Sequence, residues 1–346
     1  MAAGARWAEL ASTIAAADAV VAVGAGTHAA IGGPVVGATE VSVPSGIVAF
    51  EPADMTATVN AGTTFAELAH ALAQAGQECP LDPRDPTATV GGIVACGLSG
   101  SRRLGLGPSR NQLLEVTFVT ADGRVVRGGG PTVKNVTGYD IPRLFTGSLG
   151  TLGILVQVIV RTQPIAAASQ WFGSVHDPFD LVAALPGAAT IRWDGTETHV
   201  LLEGHQADID AQVRTVGLEP LSPGTQPETR PDWPHRGRIS VEPNRISELA
   251  AGLRDIDTQW TAELGVGTVH LAADDPAALA AARDVAHRCG GWLLREAGAP
   301  DLDPFGTSFP AVAVQRRLRT ALDPTGKLSP GRVPATAPVT PVGAAA

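Results

Sequence analysis

Apolar residues recur at helical spacing over residues 7–17 (WAELASTIAAA), which predicts a short amphipathic helix; the apolar run Ala19–Val23 behind it has the length of a buried strand. Short strands are predicted at Glu40–Val43 and Ile47–Glu51, then at Thr56–Asn60, where threonine and valine alternate. Residues 61–76 (AGTTFAELAHALAQAG) carry a complete helix signal, with Thr64 as N-cap, Glu67 three residues on to close a capping box, and Gly76 to end it. Residues 114–130 (LEVTFVTADGRVVRGGG) predict a hairpin turning at Asp122-Gly123, and the β-branched run Ile154–Arg161 predicts another strand.

Beyond Pro164 the rhythm changes. Strand Ser169–Val175, a helix near 178–185, strands Ala189–Trp193 and Thr198–Glu203, and helix Ala207–Val216 come first. After a proline-rich link at 218–235 a looser repetition follows: Arg238–Val241, helix Asn244–Ile256, strands Thr258–Leu264 and Thr268–Ala272, helix Pro276–Cys289, and Trp292–Arg295. This alternation predicts an antiparallel α+β domain set over the first. A helix at Ala311–Leu322 and the segment DPTGKLSPGR (323–332) come last, before a predicted disordered tail, VPATAPVTPVGAAA. The chain thus divides into 1–165, 166–300, a returning segment 301–332 and the tail 333–346.

Three glycine-bearing stretches break the pattern. In GAGTHAAIGG (24–33) a strand runs into Gly24, Gly26, Gly32 and Gly33, so successive N–H groups can converge on an anion such as a pyrophosphate. A dinucleotide-binding GxGxxG turn needs its third glycine at position 29, which is Ala29, and IGGPVVG is too rich in glycine and proline to start the helix such a turn requires. In TATVGGIVACGLSGSRRLGLGPSR (87–110) glycines interrupt an apolar run and let a flat or charged ligand meet bare backbone. Gly147, Gly150 and Gly153 lead into the strand at Ile154. Each stretch taken alone also reads as a structural turn.

Hydrophobic residues make up 44% of the 346 and charged residues 17%, the balance of a soluble chain of about two domains with a sizeable core. A net charge of −9 speaks against a nucleic-acid binder, which needs a basic stripe. Cys79, Cys96 and Cys289 are odd in number and lack metal spacing, as expected of a reduced, cytoplasmic protein. Glu9 and Asp18 interrupt the N-terminal segment, so no secretory signal is expected, and no uncharged apolar run is long enough to predict a membrane span.

The order of three glycine clusters around a capped helix, the phrase KNVTGYDIPRLFTGSLGTLGIL (134–155) and the closing DPTGKLSPGR together resemble the FAD-binding oxidases of the vanillyl-alcohol-oxidase (PCMH) type. Within them the chain most resembles the E subunit of bacterial glycolate oxidases. The resemblance is dense over about 20–165, sparse over 170–300, and returns near 311–332. It implies an α+β fold: a PCMH-type FAD-binding domain of two α+β lobes over 1–165, covered by a smaller α+β, ferredoxin-like cap.

The resemblance also implies the cofactor site. The first turn (Val23, Gly24, Ala25, Gly26, Thr27, His28) takes the FAD diphosphate. The second cluster (Thr89, Val90, Gly91, Gly92, Ala95, Gly97, Ser99, Gly100) runs beside the diphosphate and isoalloxazine, and Gly150, Gly153 and Ile154 reach the adenosine side. Val23 stands where relatives commonly have arginine, and Ala25 replaces the middle glycine, so diphosphate binding is expected to lean on backbone amides alone. Relatives that attach FAD covalently use a histidine that aligns with Thr27, one residue before His28; non-covalent FAD is therefore expected. Arg110-Asn111 keeps the cation of a frequent Arg-Asp pair and loses its carboxylate. Leu149 replaces the glutamate of GSEGTLG, as in E-type subunits.

For chemistry the implied reaction is oxidation of glycolate or a similar small 2-hydroxy acid, with electrons leaving through a D-like flavoprotein and an iron–sulfur F-like subunit, the whole cytoplasmic or peripheral at the inner membrane through those partners. A self-sufficient FAD oxidoreductase and a non-catalytic scaffold are the alternatives. The eight histidines show no HxxxH or HxH pair, so no metal site is expected. Lys134, Tyr139 and His270 are the candidate catalytic residues, each of which also reads as a surface or packing residue. Arg102 and Arg103 are candidates for contacting substrate or phosphate, or for a solvated loop, and Cys96 is expected near the ring as a small buried side chain.

Overall fold

The computed structural model describes residues 6–132, 138–222, 224–227, 233–306 and 311–332. The expected tail 333–346 and the candidate Lys134 lie outside the described residues.

Local signals account for the first lobe. Thr64 caps the helix Phe65–Ala73 by accepting from the Glu67 N–H, while the Glu67 carboxylate accepts from the Thr64 N–H at 2.8 Å, the reciprocal capping box. The hairpin forms between Leu113–Val119 and Val125–Gly129, with Gly123 at φ +83° in its turn. These strands belong to a five-stranded antiparallel sheet in the order Ile47–Glu51, Thr56–Asn60, Ile154–Arg161, Leu113–Val119, Val125–Gly129. Ile154–Arg161 is central and buried on both faces, which is why it reads as a run that is apolar but for Gln157 and the terminal Arg161. One face packs the helices Phe65–Ala73 and Val90–Cys96 through Leu68, Leu72, Ile93, Val116 and Val158. The other packs the N-terminal helix Ala8–Ala16 through Trp7, Ile14, Val119 and Val156.

The end of the chain returns to its beginning. Val20–Ala22 pairs in parallel with Thr39–Val41, and Leu328 adds a parallel bridge to Val20. Lys327 donates from Nζ to the carbonyls of Ile14, Ala15 and Ala17 at 2.7, 2.9 and 3.2 Å, holding the otherwise unpaired C-terminal acceptors of the first helix.

Residues 168–297 build an eight-stranded antiparallel sheet in the order Glu219–Pro220, Ala168–Ser174, Thr198–Gly204, Ala188–Trp193, Gln259–Glu263, Thr268–Ala273, His235–Ser240, Trp292–Ala297. It is two successive β-α-β-β-α-β units, each with its strands in the spatial order 4-1-3-2, joined edge to edge where Arg192 pairs with Glu263 and Trp193 with Ala262. The ferredoxin-like cap is therefore double, and its sheet has more strands than that of the first lobe. Period-2 alternation sorts the two faces. Ile191, Ile239, Ala262, Val269, Leu271 and Leu293 enter the core beneath the helices Ile246–Leu253 and Pro276–Arg288. Arg192, opposite Glu263, and Arg238, opposite His270, take the other face, with Glu263 and His270 diagonal neighbours on adjacent strands.

Candidate functional site

The strand Val20–Ala22 ends against the helix Val90–Cys96, and their approach fixes the residue types. A Cβ on Gly24 would stand 2.4 Å from Thr89 Oγ1, and Thr89 cannot move away freely, since that hydroxyl caps the helix by accepting from the Gly92 N–H at 3.2 Å. The turn beyond Gly24 is irregular, with Gly26 at φ +77°. Ala29 donates back to the Gly26 carbonyl, and Ile31 to that of His28. The N–H groups of Gly24, Ala25, Gly26 and Thr27 donate to no atom among the described residues and are exposed.

These donors rim a groove open to solvent on one side. Val23, Gly24, Ala25, Gly26, Thr27 and His28 form one wall, and Thr89, Gly91, Gly92 and Ala95 the floor, where the helix turns small residues outward at i, i+3 spacing. Gly150 and Gly153 close the far side.

The other residues assigned to the cofactor go elsewhere, for local reasons. Val90 sits on the opposite side of its helix, in the core under the five-stranded sheet. Ile154 enters the core on that sheet's other face with Val156. Gly97, at φ +62°, ends the helix and turns the chain away, so that Gly97 and Ser99 line a neighbouring cavity. Gly100 packs on the loop at Asp82, where a Cβ would lie 1.8 Å from the Asp82 carbonyl oxygen.

Several lining residues carried no local signal. Val41, Val43 and Gly62 come from strand ends of the first lobe, and Ser329 and Arg332 from the returning segment. Arg332 corrects the expectation of amides alone: the groove has a guanidinium, donating to the Ala29 carbonyl at 3.3 Å and held below its ordinary pKa by burial, next to the Cys96 thiol. Among the described lining residues none is acidic. Bare donors, a cation, a glycine floor and apolar walls at Leu149 and Leu155 fit a flavin dinucleotide: the donors and the cation suit its diphosphate, and the flat backbone its ring.

Cys96 lines this groove half-buried, its thiol pushed up to about 11 by desolvation, and the Cys79 thiol in the core is pushed up to about 12. With the thiolate scarce below these values, iodoacetamide at pH 8 leaves both essentially unlabelled in the native chain while labelling all three cysteines in urea. Rapid native labelling of Cys96 at pH 8, read by peptide mass, contradicts the desolvation.

The remaining candidates lie outside the groove. Tyr139 is 91% exposed, on the surface. His270 is 3% exposed on the polar face of the cap sheet, 3.2 Å from Glu263 and hydrogen-bonded to Arg84, which itself reaches Glu263 at 3.0 Å. This cluster joins the first lobe to the cap. Arg102 is a second such tie: Nε meets Asp82 at 2.9 Å, one terminal nitrogen meets Glu78 at 2.9 Å, and the other meets Glu203 of the cap at 3.4 Å. Burial opposes its charge, but the three carboxylates outweigh this and hold the guanidinium above its ordinary pKa. Among the described residues no group of His, Cys, Asp and Glu is arranged to hold a metal, and no helix is long and apolar enough to cross a membrane.

Comparison with known proteins follows the same outline. Residues 2–129 match the family model described as "FAD binding domain". The chain is similar to "Glycolate oxidase subunit GlcE" of Escherichia coli (strain K12), 30% identical over 329 residues, covering 90% of this chain and 91% of that one. It is similar to "D-lactate dehydrogenase" of Archaeoglobus fulgidus, 40% identical over 104 residues, 30% of this chain and 24% of that one. Among solved structures an alkyldihydroxyacetonephosphate synthase superposes with a TM-score of 0.68 at 15% identity, over 93% of this chain and 74% of that one, a likeness of fold.

Proposed function

This chain belongs to the family of FAD-binding oxidoreductases that includes glycolate oxidase subunit GlcE, and from that membership we propose that it is the FAD-bearing subunit of a complex oxidising glycolate or a similar 2-hydroxy acid to the 2-oxo acid. The observation that carries the reading is the row of free donors from Gly24 to Thr27 at the rim of a groove without described acidic lining. FAD, when bound, supplies the hydride acceptor. The N–H groups of Gly24–Thr27 hold its diphosphate and Arg332 offsets the charge, while Gly91, Gly92 and Ala95 let the flat ring approach backbone and Leu149 and Leu155 keep water from it. The attachment is non-covalent.

Electrons leave through partners, a D-like flavoprotein and an iron–sulfur F-like subunit. Similarity over most of both chains to a protein named as a subunit supports this, as does the 33% identity over 138 residues to "Glycolate oxidase subunit GlcD" of Bacillus subtilis. Three free cysteines are also too few for a four-thiolate cluster within this chain.

The purified chain is expected to show visible flavin absorbance, to release its colour into the supernatant on acid precipitation, and to bleach little with glycolate under anaerobic conditions until the partner subunits are added. Absence of flavin refutes the reading, colour in the pellet refutes non-covalent attachment, and prompt bleaching of the lone chain refutes dependence on partners.

A further inference from the structure

A second cavity adjoins the groove and shares Cys96 and Leu149 with it. Three arginines line it and, among the described lining residues, none is acidic. They come from both sides of the boundary between first lobe and cap. Arg103 opens the short helix Arg103–Leu106, Arg110 lies in the 3-10 turn Ser109–Asn111, and Arg238 is on the cap strand His235–Ser240. Strand register explains how Arg238 arrives there: it pairs across to Leu294, so its side chain leaves the sheet on the same face as Leu294 and Trp292.

The contrast between neighbours in sequence is informative. Arg102 is met by three carboxylates, whereas the guanidiniums of Arg103 and Arg110 form no hydrogen bond or ion pair among the described residues. Arg238 approaches Glu296 only at 3.8 Å, too far for a hydrogen bond. Burial, and behind it the charges of Arg238 and Arg110, lower the pKa of Arg103 against the pull of Glu263. Gathering like charges in a half-enclosed space costs free energy that a bound anion recovers.

We propose that this cavity is a carboxylate site, in which Arg103, Arg110 and Arg238 bind the carboxylate of a small organic acid whose remainder lies against Ile31, Leu294 and Trp292. Because Cys96 and Leu149 belong to both walls, an acid held here abuts the groove. The assignment of that acid as substrate or product rests on the hydroxy-acid reading above; the arginine site itself does not. The lobe and the cap each supply part of the recognition, so neither alone completes it.

Calorimetric titration of the chain as purified tests this, with oxalate as a carboxylate probe that cannot be oxidised at a carbinol and sulfate as a general oxyanion. Oxalate is expected to bind, sulfate to bind more weakly, and Arg103→Met, Arg238→Met and Arg110→Gln each to weaken oxalate by about tenfold or more, since each removes one charge-assisted contact. Arg110 is exposed, so its variant keeps the fold whatever the fate of the other two. No oxalate binding by the wild type, or binding unchanged in the variants, overturns the site; sulfate binding as tightly as oxalate overturns the carboxylate class. Flavin absorbance per chain, read on the same samples, tests the cofactor reading separately, because the titration reports the arginines with or without flavin.

Discussion

Gly24→Val is expected to empty the chain of flavin while leaving most of it folded. The new Cβ would lie 2.4 Å from Thr89 Oγ1 and 3.1 Å from Thr89 Cγ2, contacts that side chains do not sustain. The turn must therefore move, or Thr89 must give up its place at the start of the helix Val90–Cys96. If the turn moves, the donors of Gly24–Thr27 leave their common focus. Charge-assisted hydrogen bonds contribute roughly 1.5–3 kcal/mol each, so losing two weakens flavin binding on the order of 100-fold or more. If Thr89 moves, the helix loses its cap, worth about 1 kcal/mol. Flavin per chain after dialysis and the urea midpoint distinguish the two routes. Thr89→Ala combined with Gly24→Val removes both clashing atoms, and the double variant should recover flavin that Gly24→Val alone lacks, the non-additivity of residues in contact. Wild-type flavin content in Gly24→Val would refute the part assigned to this turn.

What could be read from the chain, and what could not, divides by range. The capping box of Thr64 and Glu67 and the hairpin at Asp122-Gly123 are decided within a few residues, and both are present. The alternation of TVHLAA (268–273) also fixes that Val269 and Leu271 share one face of the sheet and His270 takes the other. It does not tell what covers His270, because Arg84 lies 186 residues away along the chain. Arg332 is invisible for the same reason: the cation lining the groove beside the first turn belongs to the opposite end of the sequence, brought there by the pairing of Leu328 with Val20. Within the second glycine cluster the limit has a different origin. The sequence reads as one continuous ligand-facing stretch, but a helix presents only one side, so Gly92 and Ala95 meet the groove while Val90 enters the core.

The two lobes meet through the small apolar cluster of Ile31, Leu149, Leu294 and Phe305 and through charged ties, and the largest expected stability loss follows from the charged ties. The core of the cap and the cores of the first lobe are separate clusters, each largely built within its own sheet. Between them stand Arg84 on Glu263 and Arg102 on Glu203, with Asp82 and Glu78 completing the second set. Asp82 also accepts from the Arg102 N–H at 3.0 Å, so the side chain is anchored at both ends.

Arg102→Met removes one cation and strands three carboxylates whose side chains are 16–20% exposed. Breaking a fully buried pair from one side costs about 3–5 kcal/mol; with this residual exposure roughly 2–4 kcal/mol is expected. Arg102→Lys should recover little, because a single ammonium cannot meet three acceptors in the directions a guanidinium fork provides. Glu203→Gln removes the charge from the 3.4 Å tie to the cap, while the amide oxygen can still accept from Ser169, and should cost about 0.5–1 kcal/mol. Urea unfolding checks all three, and the ordering separates a network from a sum of surface pairs: an Arg102→Met loss no larger than that of Glu203→Gln would show that the carboxylates do not depend on this arginine. Flavin content should stay near wild type in the folded fraction of each variant, because Arg102 does not line the groove.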